Sequence, residues 1–375
     1  MQNLRIPGPT PCPPEVLAAM GRQMINHRGS EFAEIIKDVT VKMKQVFQTK
    51  NDLMLLTGSG TAGLEAAVVN MLSPGDTVLG VAIGVFGERF AKIAQTFGAN
   101  IIPLNFEHGK AADPALIQKA IDANPQIKAV LVTHNETSTG VTNDLAAISK
   151  IVKGAGKLLL VDCISSLGSL NVPVDEWGID VAISGSQKGW MVPPGMAMIS
   201  VSEAGWQAFA QSKMPRFYWD LGKAKAGLEK GQTPWTPNVS VVFAFQVALD
   251  MMLKEGINNI FARHERIGKF TRAGVKSLGL TLLADEKHAS NTVTSIVADC
   301  GLDAKKLNKI MKEEFDIVLA GGQGPLEGKI FRIGHLGMVN EKDIQAVIDG
   351  LKVVLPKAGF VKKGEARGNE KGFGC

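Results

Sequence analysis

Short runs of apolar residues alternate, over roughly the first 200 residues, with segments whose apolar positions recur at helical spacing. Seven of these runs have the length and composition of buried strands. They are Leu53–Thr57, Val78–Ile83, Ile101–Leu104, Ala129–Thr133, Leu158–Val161, Val181–Ser184 and Met196–Val201. This alternation predicts an α/β domain with a mainly parallel sheet, in which ligands bind at the carboxyl ends of the strands.

The pattern changes after Pro237, where two long helical patterns, Val239–Lys254 and Ile257–Leu278, lead into shorter strands and helices. We interpret the later part as a smaller α+β domain. At the other end of the chain, five prolines between Pro7 and Pro14 prevent regular structure and predict an arm. The predicted organisation is an N-terminal arm (1–15), a large domain (16–260), a small C-terminal domain (261–357) and a flexible tail (358–375).

The composition is that of a globular protein, with 45% hydrophobic and 21% charged residues among 375. The formal charge of +5 is scattered along the chain, so no nucleic-acid partner is expected. The chain does not open on a signal-peptide pattern, and its longest apolar stretch, Val239–Leu253, contains polar residues. These observations predict a cytoplasmic protein without membrane association. The four cysteines form no Cys-x-x-Cys pair, so no metal site is expected.

A glycine-rich segment, Thr57–Gly63, follows the first predicted strand and opens a helical pattern. Glycines allow close approach to a phosphate, and a helix N-terminus presents free N–H groups, so the segment is a candidate anion site. A dinucleotide site would need an acidic residue at the end of the next strand, and Val78–Ile83 ends without one. A tight strand-to-helix turn that binds no ligand is the other alternative.

Two charged residues stand just after later strands of the same predicted sheet. Asp162 ends one strand and Lys188 follows the next. Neither residue alone indicates a functional site, because aspartates often cap helices and lysines usually lie on the surface. Together with the glycine segment they match what pyridoxal-phosphate (PLP) chemistry requires: a lysine that binds the aldehyde, a carboxylate that keeps the pyridine nitrogen protonated, and a phosphate cradle. The combination predicts a PLP site.

At these residues the sequence resembles the class V aminotransferases of the fold-type I PLP enzymes, in the serine–glyoxylate and alanine–glyoxylate branch. The matching segments are 57–61, 134–140, 161–162, 184–188, 233–237, 290–294 and 331–337. The resemblance implies a large domain with a mainly parallel seven-stranded sheet and a smaller C-terminal α+β domain. Some bacterial relatives in that branch are labelled as soluble-hydrogenase subunits.

The resemblance also implies roles at the cofactor. Lys188 would carry PLP as a Schiff base and move the substrate proton, and Asp162 would pair with the pyridinium nitrogen. Six further residues would contact the cofactor: Ser59, Gly60, Thr61 and Gln187 at the phosphate, Phe86 on the ring face and Thr137 near the ring hydroxyl. Trp190, two residues after the lysine, either narrows the pocket or lies in the core.

Other implied roles concern the substrate and a second subunit. Arg332 would clamp the substrate carboxylate through two parallel hydrogen bonds, and Gly8 in the arm would line the substrate pocket. Thr236, with Thr233, would reach the phosphate of the partner subunit, which implies a homodimer with shared active sites. Apart from the resemblance, His27–Arg28 follows the first predicted helix, so it is a candidate for the active site or for the dimer seam, and the seam is favoured.

The implied reaction is ping-pong transamination between alanine or serine and glyoxylate or pyruvate, with small amino and keto acids as the partners. A single arginine clamp fits small monocarboxylates, and the sequence offers no obvious second arginine for a dicarboxylate. The alternatives are another class V reaction, such as a lyase, and a non-catalytic subunit that retains the fold.

Overall fold

The computed structural model describes residues 2–362, within which the chain forms thirteen strands and twelve α-helices. The strands are β1 Asn3–Arg5, β2 Asp52–Thr57, β3 Thr77–Ala82, β4 Asn100–Asn105, β5 Ile127–Thr133, β6 Asn135–Glu136, β7 Val141–Thr142, β8 Leu158–Asp162, β9 Val181–Gly185, β10 Met196–Val201, β11 Val293–Val297, β12 Ile317–Gly321 and β13 Ile330–Gly334. The helices are α1 Pro14–Met20, α2 Ser30–Phe47, α3 Gly60–Met71, α4 Val85–Thr96, α5 Pro114–Ala123, α6 Leu145–Gly154, α7 Glu203–Gln211, α8 Leu221–Glu229, α9 Val239–Glu255, α10 Ile257–Ser277, α11 Ala304–Phe315 and α12 Glu341–Lys357.

The seven strands predicted from the apolar runs form one sheet, in the order β2-β10-β9-β8-β5-β3-β4. Neighbouring strands from β9 to β4 are parallel, whereas β10 runs antiparallel to both β9 and β2. The predicted fold class, α/β with a mainly parallel seven-stranded sheet, is confirmed. Because β2, β3, β5, β8 and β9 point the same way, their carboxyl ends share one edge of the sheet.

Helices cover both faces of this sheet, and successive strand residues divide between the two faces. Leu159 and Val161 belong to the core formed with α2, α5, α6 and α9, while Leu160 belongs to the core formed with α3, α4, α7 and α8. Alternation of side chains along a strand produces this division. Because both faces of the sheet are buried, the sequences of these strands are continuous apolar runs.

A second sheet, in the order β1-β12-β13-β11, lies with α10, α11 and α12 around a third hydrophobic cluster. Its first strand comes from the N-terminus, where Asn3 pairs with Ile317 in parallel register. The proline-rich composition predicted an arm without regular structure, whereas Asn3–Arg5 form a strand before the prolines begin.

The predicted domain boundaries stay predictions. Of the predicted tail (358–375), Ala358 and Phe360 are buried in the third hydrophobic cluster, and residues 363–375 lie outside the described residues. Within residues 2–362, no helix has the length and apolar character needed to cross a membrane.

Candidate active site

One cavity lies at the carboxyl edge of the large sheet, where five parallel strands end. The segments that follow β2, β3, β5, β8 and β9 all contribute to its lining. Eight of the residues that the sequence predicted to hold the cofactor line this cavity: Ser59, Gly60, Thr61, Phe86, Thr137, Asp162, Gln187 and Lys188. The topology therefore brings together residues that are up to 129 positions apart in the sequence.

Lys188 lies at the end of the cavity nearest the N-terminal arm. Its Nζ donates a hydrogen bond to the carbonyl of Pro7 at 2.5 Å, and Thr10 Oγ1 donates to the Lys188 carbonyl at 3.0 Å. Gly8 has φ +125°, and a Cβ atom there would lie 2.6 Å from Lys188 Nζ. Burial lowers the pKa of Lys188 to about 8; Asp162 opposes this shift and the Arg332 charge adds to it. The amine is therefore neutral, and nucleophilic, at mildly alkaline pH.

Asp162 ends β8 and is buried, and its Oδ1 accepts a hydrogen bond from the Ile164 amide at 2.9 Å. The pKa of Asp162 is raised to about 7, chiefly by burial; the hydrogen bond from Ile164 and the Lys188 charge oppose this shift, and the Glu136 charge contributes to it. A cationic ring nitrogen beside this carboxylate would favour its ionised form. This environment suits the partner of a protonated pyridine.

The glycine segment forms the start of α3, with Ser59 at the N-cap and Gly60 as the first helical residue. Within the described structure the Ser59 side chain does not cap the helix, so its hydroxyl is available to a ligand. Thr61 and Gln187 also line the cavity here. Hydroxyls, a side-chain amide and the N–H groups of a helix N-terminus are the donors that a phosphate monoester needs. Together with a lysine, a buried carboxylate and the Phe86 ring, this donor set fits PLP.

Arg332 lies on β13 and is buried; it is not among the residues that line the cavity, but it bonds to Thr137, which is. Its Nε donates to the Gly321 carbonyl and its Nη1 donates to the Thr137 carbonyl, both at 2.8 Å. Burial lowers the pKa of Arg332 to about 10, and Glu136 opposes this shift. Two of the donors in the guanidinium fork are therefore bonded to backbone, which fixes the orientation of the group toward the residues that line the cavity.

The structure does not bring Thr233 and Thr236 to this cavity. They line a separate pocket beside Tyr218, and Thr233 Oγ1 donates to the Trp235 carbonyl at 2.6 Å. Arg28 holds the same loop through a 2.5 Å hydrogen bond to the Thr233 carbonyl. The predicted contact of these threonines with a partner's phosphate stays a prediction.

Sequence reasoning missed several residues that line the cavity, among them Arg89 and Asn135. Arg89 lines the cavity, and its guanidinium carbon lies 4.7 Å from the centroid of the Phe86 ring. Its position three residues after Phe86, on one face of a helix, was the signal available. Trp190 belongs to the core, because it is fully buried and packs against Phe47.

Comparison with solved structures defines the class of protein. The chain superimposes on the ureidoglycine–glyoxylate aminotransferase of Bacillus subtilis with a TM-score of 0.91 and 31% identity, covering 97% of this chain and 96% of that one. This is the fold of type I PLP enzymes. The profile of the class-V aminotransferase family matches residues 3–340. The chain therefore belongs to the class-V aminotransferase family.

Two relatives known from their sequences are similar over nearly the whole chain. The "soluble hydrogenase 42 kDa subunit" of Anabaena cylindrica is 47% identical over 359 residues, which cover 95% of this chain and 94% of the relative. The serine–glyoxylate aminotransferase of Methylorubrum extorquens is 37% identical over 364 residues, which cover 94% of this chain and 90% of that relative.

Proposed function

We propose that this chain is a PLP-dependent aminotransferase that transfers the amino group of alanine or serine to glyoxylate or pyruvate. The observation that carries the proposal is the joint position of Lys188 and Asp162, which line one cavity at the ends of the paired strands β9 and β8. Membership of the aminotransferase family supports the reaction type. The likeness to a serine–glyoxylate aminotransferase supports the choice of substrates.

Each residue has a separate task in this proposal. PLP, when bound, withdraws the electrons that remain after the Cα–H bond of the amino acid breaks. Lys188 anchors the cofactor aldehyde and then moves the proton to and from Cα as a neutral amine. Asp162 holds the proton on the ring nitrogen, and Phe86 covers one ring face and excludes water from it. Arg332 binds the substrate carboxylate.

The cofactor assignment is tested on the purified protein. Bound PLP is expected to give an absorbance band in the visible range, and borohydride is expected to bleach it and leave the label on a peptide that contains Lys188. Lys188→Ala is expected to abolish both the label and transamination. Lys305→Ala is the matched control, because that exposed lysine forms only a surface ion pair and its loss should change neither. Transamination retained by Lys188→Ala would refute the assignment.

The substrates are tested with a panel of amino donors (alanine, serine and aspartate) against the acceptors glyoxylate and pyruvate. Arg89 makes aspartate a necessary member of the panel, because a second cation at the cavity can bind a second carboxylate. A kcat/KM for aspartate above those for alanine and serine would overturn the proposed donor.

We also propose a homodimer in which Thr236, with Thr233, completes the phosphate site of the partner subunit. The exposed position of Thr236, away from the cavity of its own chain, supports this arrangement. Lys188→Ala and Thr236→Ala chains, mixed after denaturation and refolding, are expected to regain activity, because one site of the hybrid then contains both Lys188 and Thr236. Hybrids no more active than the average of the two parent variants would exclude a shared site.

The second candidate is a non-catalytic subunit that retains the fold, and the hydrogenase name of the Anabaena relative favours it. The same purified protein separates the two candidates. A colourless protein that takes up no added PLP supports the non-catalytic subunit, and a coloured protein with a labelled Lys188 opposes it. A coloured protein that is inactive with every donor and acceptor indicates another class V reaction.

A further inference from the structure

Glu136 is a fully buried carboxylate next to the cofactor cavity that has no part in the chemistry proposed above. One of its oxygens, Oε2, accepts hydrogen bonds from the amides of Phe86 at 3.0 Å and Gly87 at 3.1 Å. These are the second and third residues of α4, so their N–H groups have no partner within the helix. The other oxygen, Oε1, accepts from the Ser138 amide at 3.0 Å and the Ser138 hydroxyl at 2.7 Å.

Ser138 and Gly84 add to this contact between the start of α4 and the segment 136–138. Ser138 Oγ accepts a hydrogen bond from the Val85 amide at 3.0 Å, so the first three amides of α4 are all bonded to the segment 136–138. Gly84 precedes the helix, and a Cβ atom there would lie 2.4 Å from Ser138 Oγ and 2.7 Å from Glu136 Cγ. Only glycine allows the two segments to approach this closely.

The charge on Glu136 suits this position. Burial raises the pKa of the Glu136 carboxyl, and the hydrogen bonds that its oxygens accept from Ser138, Gly87 and Phe86 oppose that shift. The partial positive charge at the N-terminus of α4 also favours the ionised form. Hydrogen bonds to an ionised acceptor are stronger than those between neutral groups. The carboxylate therefore holds the first turn of α4 more firmly than water or a neutral side chain would.

That first turn carries the Phe86 ring, and the anchoring segment carries Thr137, whose carbonyl accepts the hydrogen bond of Arg332. Phe86 and Thr137 both line the cavity, whereas Glu136 is not among its lining residues. Glu136 thus connects the aromatic side of the cavity to the arginine side without contacting a ligand placed there.

We propose that Glu136 is a positioning residue, which fixes the Phe86 ring over the cofactor by holding the first amides of α4 against the segment 136–138. The proposal rests on the proposed PLP site, because Phe86 has a ring to cover only if the cofactor binds there. It assigns Glu136 a role in cofactor affinity that acts through Phe86.

The test compares Glu136→Gln with Glu88→Gln in the full-length protein. Gln keeps the shape of the side chain but is neutral and has one acceptor oxygen in place of two, so the bonds that it still makes to the first amides of α4 are weaker. The dissociation constant of PLP, measured by absorbance titration of the protein freed of cofactor, is expected to rise about tenfold in Glu136→Gln. Glu88→Gln removes the same charge from the same helical turn at an exposed position, and it is expected to leave the constant unchanged.

A second readout needs no cofactor. Hydrogen–deuterium exchange of the Phe86 and Gly87 amides is expected to accelerate in Glu136→Gln, while the amides in the middle of α4 keep their protection. Uniformly faster exchange along α4 would indicate general destabilisation and would overturn the local role.

A double-mutant cycle with Phe86→Ala separates positioning from general stability. If Glu136 acts through the ring, Glu136→Gln in the Phe86→Ala background changes the dissociation constant of PLP by less than about twofold. An equal loss of affinity in both backgrounds would show that Glu136 does not act through Phe86, and the proposal would fail.

The outcomes also distinguish this proposal from the cofactor assignment. A wild-type protein that binds no PLP refutes the proposed function, whereas a wild-type protein and a Glu136→Gln variant that bind PLP equally refute only the role of Glu136. If Glu136→Gln does not fold, Ser138→Ala replaces it. That variant keeps the carboxylate and removes two hydrogen bonds of the Ser138 hydroxyl, the one from the Val85 amide and the one to Glu136. A roughly threefold weaker affinity with faster exchange of the Val85 amide is then expected, and no change in either would overturn the proposal.

Discussion

Substituting Gly8 by alanine tests how closely the N-terminal arm holds the lysine of the site. The new Cβ would lie 2.6 Å from Lys188 Nζ and 2.7 Å from its Cδ, and both atoms belong to a flexible side chain. The lysine is therefore expected to retreat by roughly 0.8 Å until ordinary contact is restored. The hydrogen bond from Nζ to the Pro7 carbonyl is lost in the same movement.

Two magnitudes follow from this geometry. An L residue at φ +125° costs about 1–3 kcal/mol of folding free energy. With an unfolding entropy of about 2.1 cal/mol/K per residue, a chain of 375 residues should lose about 1–4 °C in Tm. Displacement of a reacting group by close to 1 Å costs on the order of a hundredfold in rate, so transamination by Gly8→Ala is expected to fall about tenfold to a hundredfold.

The assay pairs thermal unfolding with single-turnover transamination, and Gly156→Ala serves as the control. Gly156 also has positive φ, at +68°, but a Cβ there would meet no heavy atom within 4 Å. The control is expected to lose about 1–2 kcal/mol of stability and to keep its full turnover rate. If Gly8→Ala transaminates as fast as the wild type, or if both variants slow equally, the contact between the arm and Lys188 has no catalytic consequence.

Three further predictions concern the charged groups of the site. Because burial lowers the pKa of Lys188 to about 8, the amine is charged below that pH and neutral above it, so the rate of PLP uptake should rise about tenfold from pH 7 to pH 9; a rate independent of pH would contradict this. Asp162→Asn is expected to lower kcat by about 10²–10⁴ while PLP still binds, and kcat within twofold of wild type would remove Asp162 from the chemistry. Arg332→Lys should raise KM for the amino donor about tenfold, because an ammonium cannot replace the fork that bonds Gly321 and Thr137; an unchanged KM would show that the substrate carboxylate binds elsewhere.

The fold was predictable because burial on both faces turns each central strand into an uninterrupted apolar run. All seven predicted strands lie within two residues of those in the structure, from β2 to β10. Parallel strands also place their carboxyl ends together, so the residues that follow them were expected to meet, as Asp162 and Lys188 do.

The rest depends on contacts between distant segments that carry no local pattern. β1 has only three residues, Asn3–Arg5, which are too few to show an alternating pattern. Its pairing with β12 is made by backbone hydrogen bonds, which the sequence of side chains does not indicate. The role of Glu136 is equally hidden, because its donors stand some 50 positions earlier, at the start of α4. Glu136 stood inside the matching segment 134–140, but neither its burial nor the helix terminus that it holds was visible in the sequence.

The pairing of Asn3 with Ile317 has a consequence for how the molecule is made. During translation the arm leaves the ribosome while its partner strand is still roughly 300 residues from being synthesised, a delay on the order of tens of seconds. The central sheet can condense in that interval, and the arm can then bond to Lys188 through Pro7 and Thr10, but β1 lacks its partner strand until β12 emerges. The strand pairing that anchors this arm is therefore among the last contacts that the nascent chain completes.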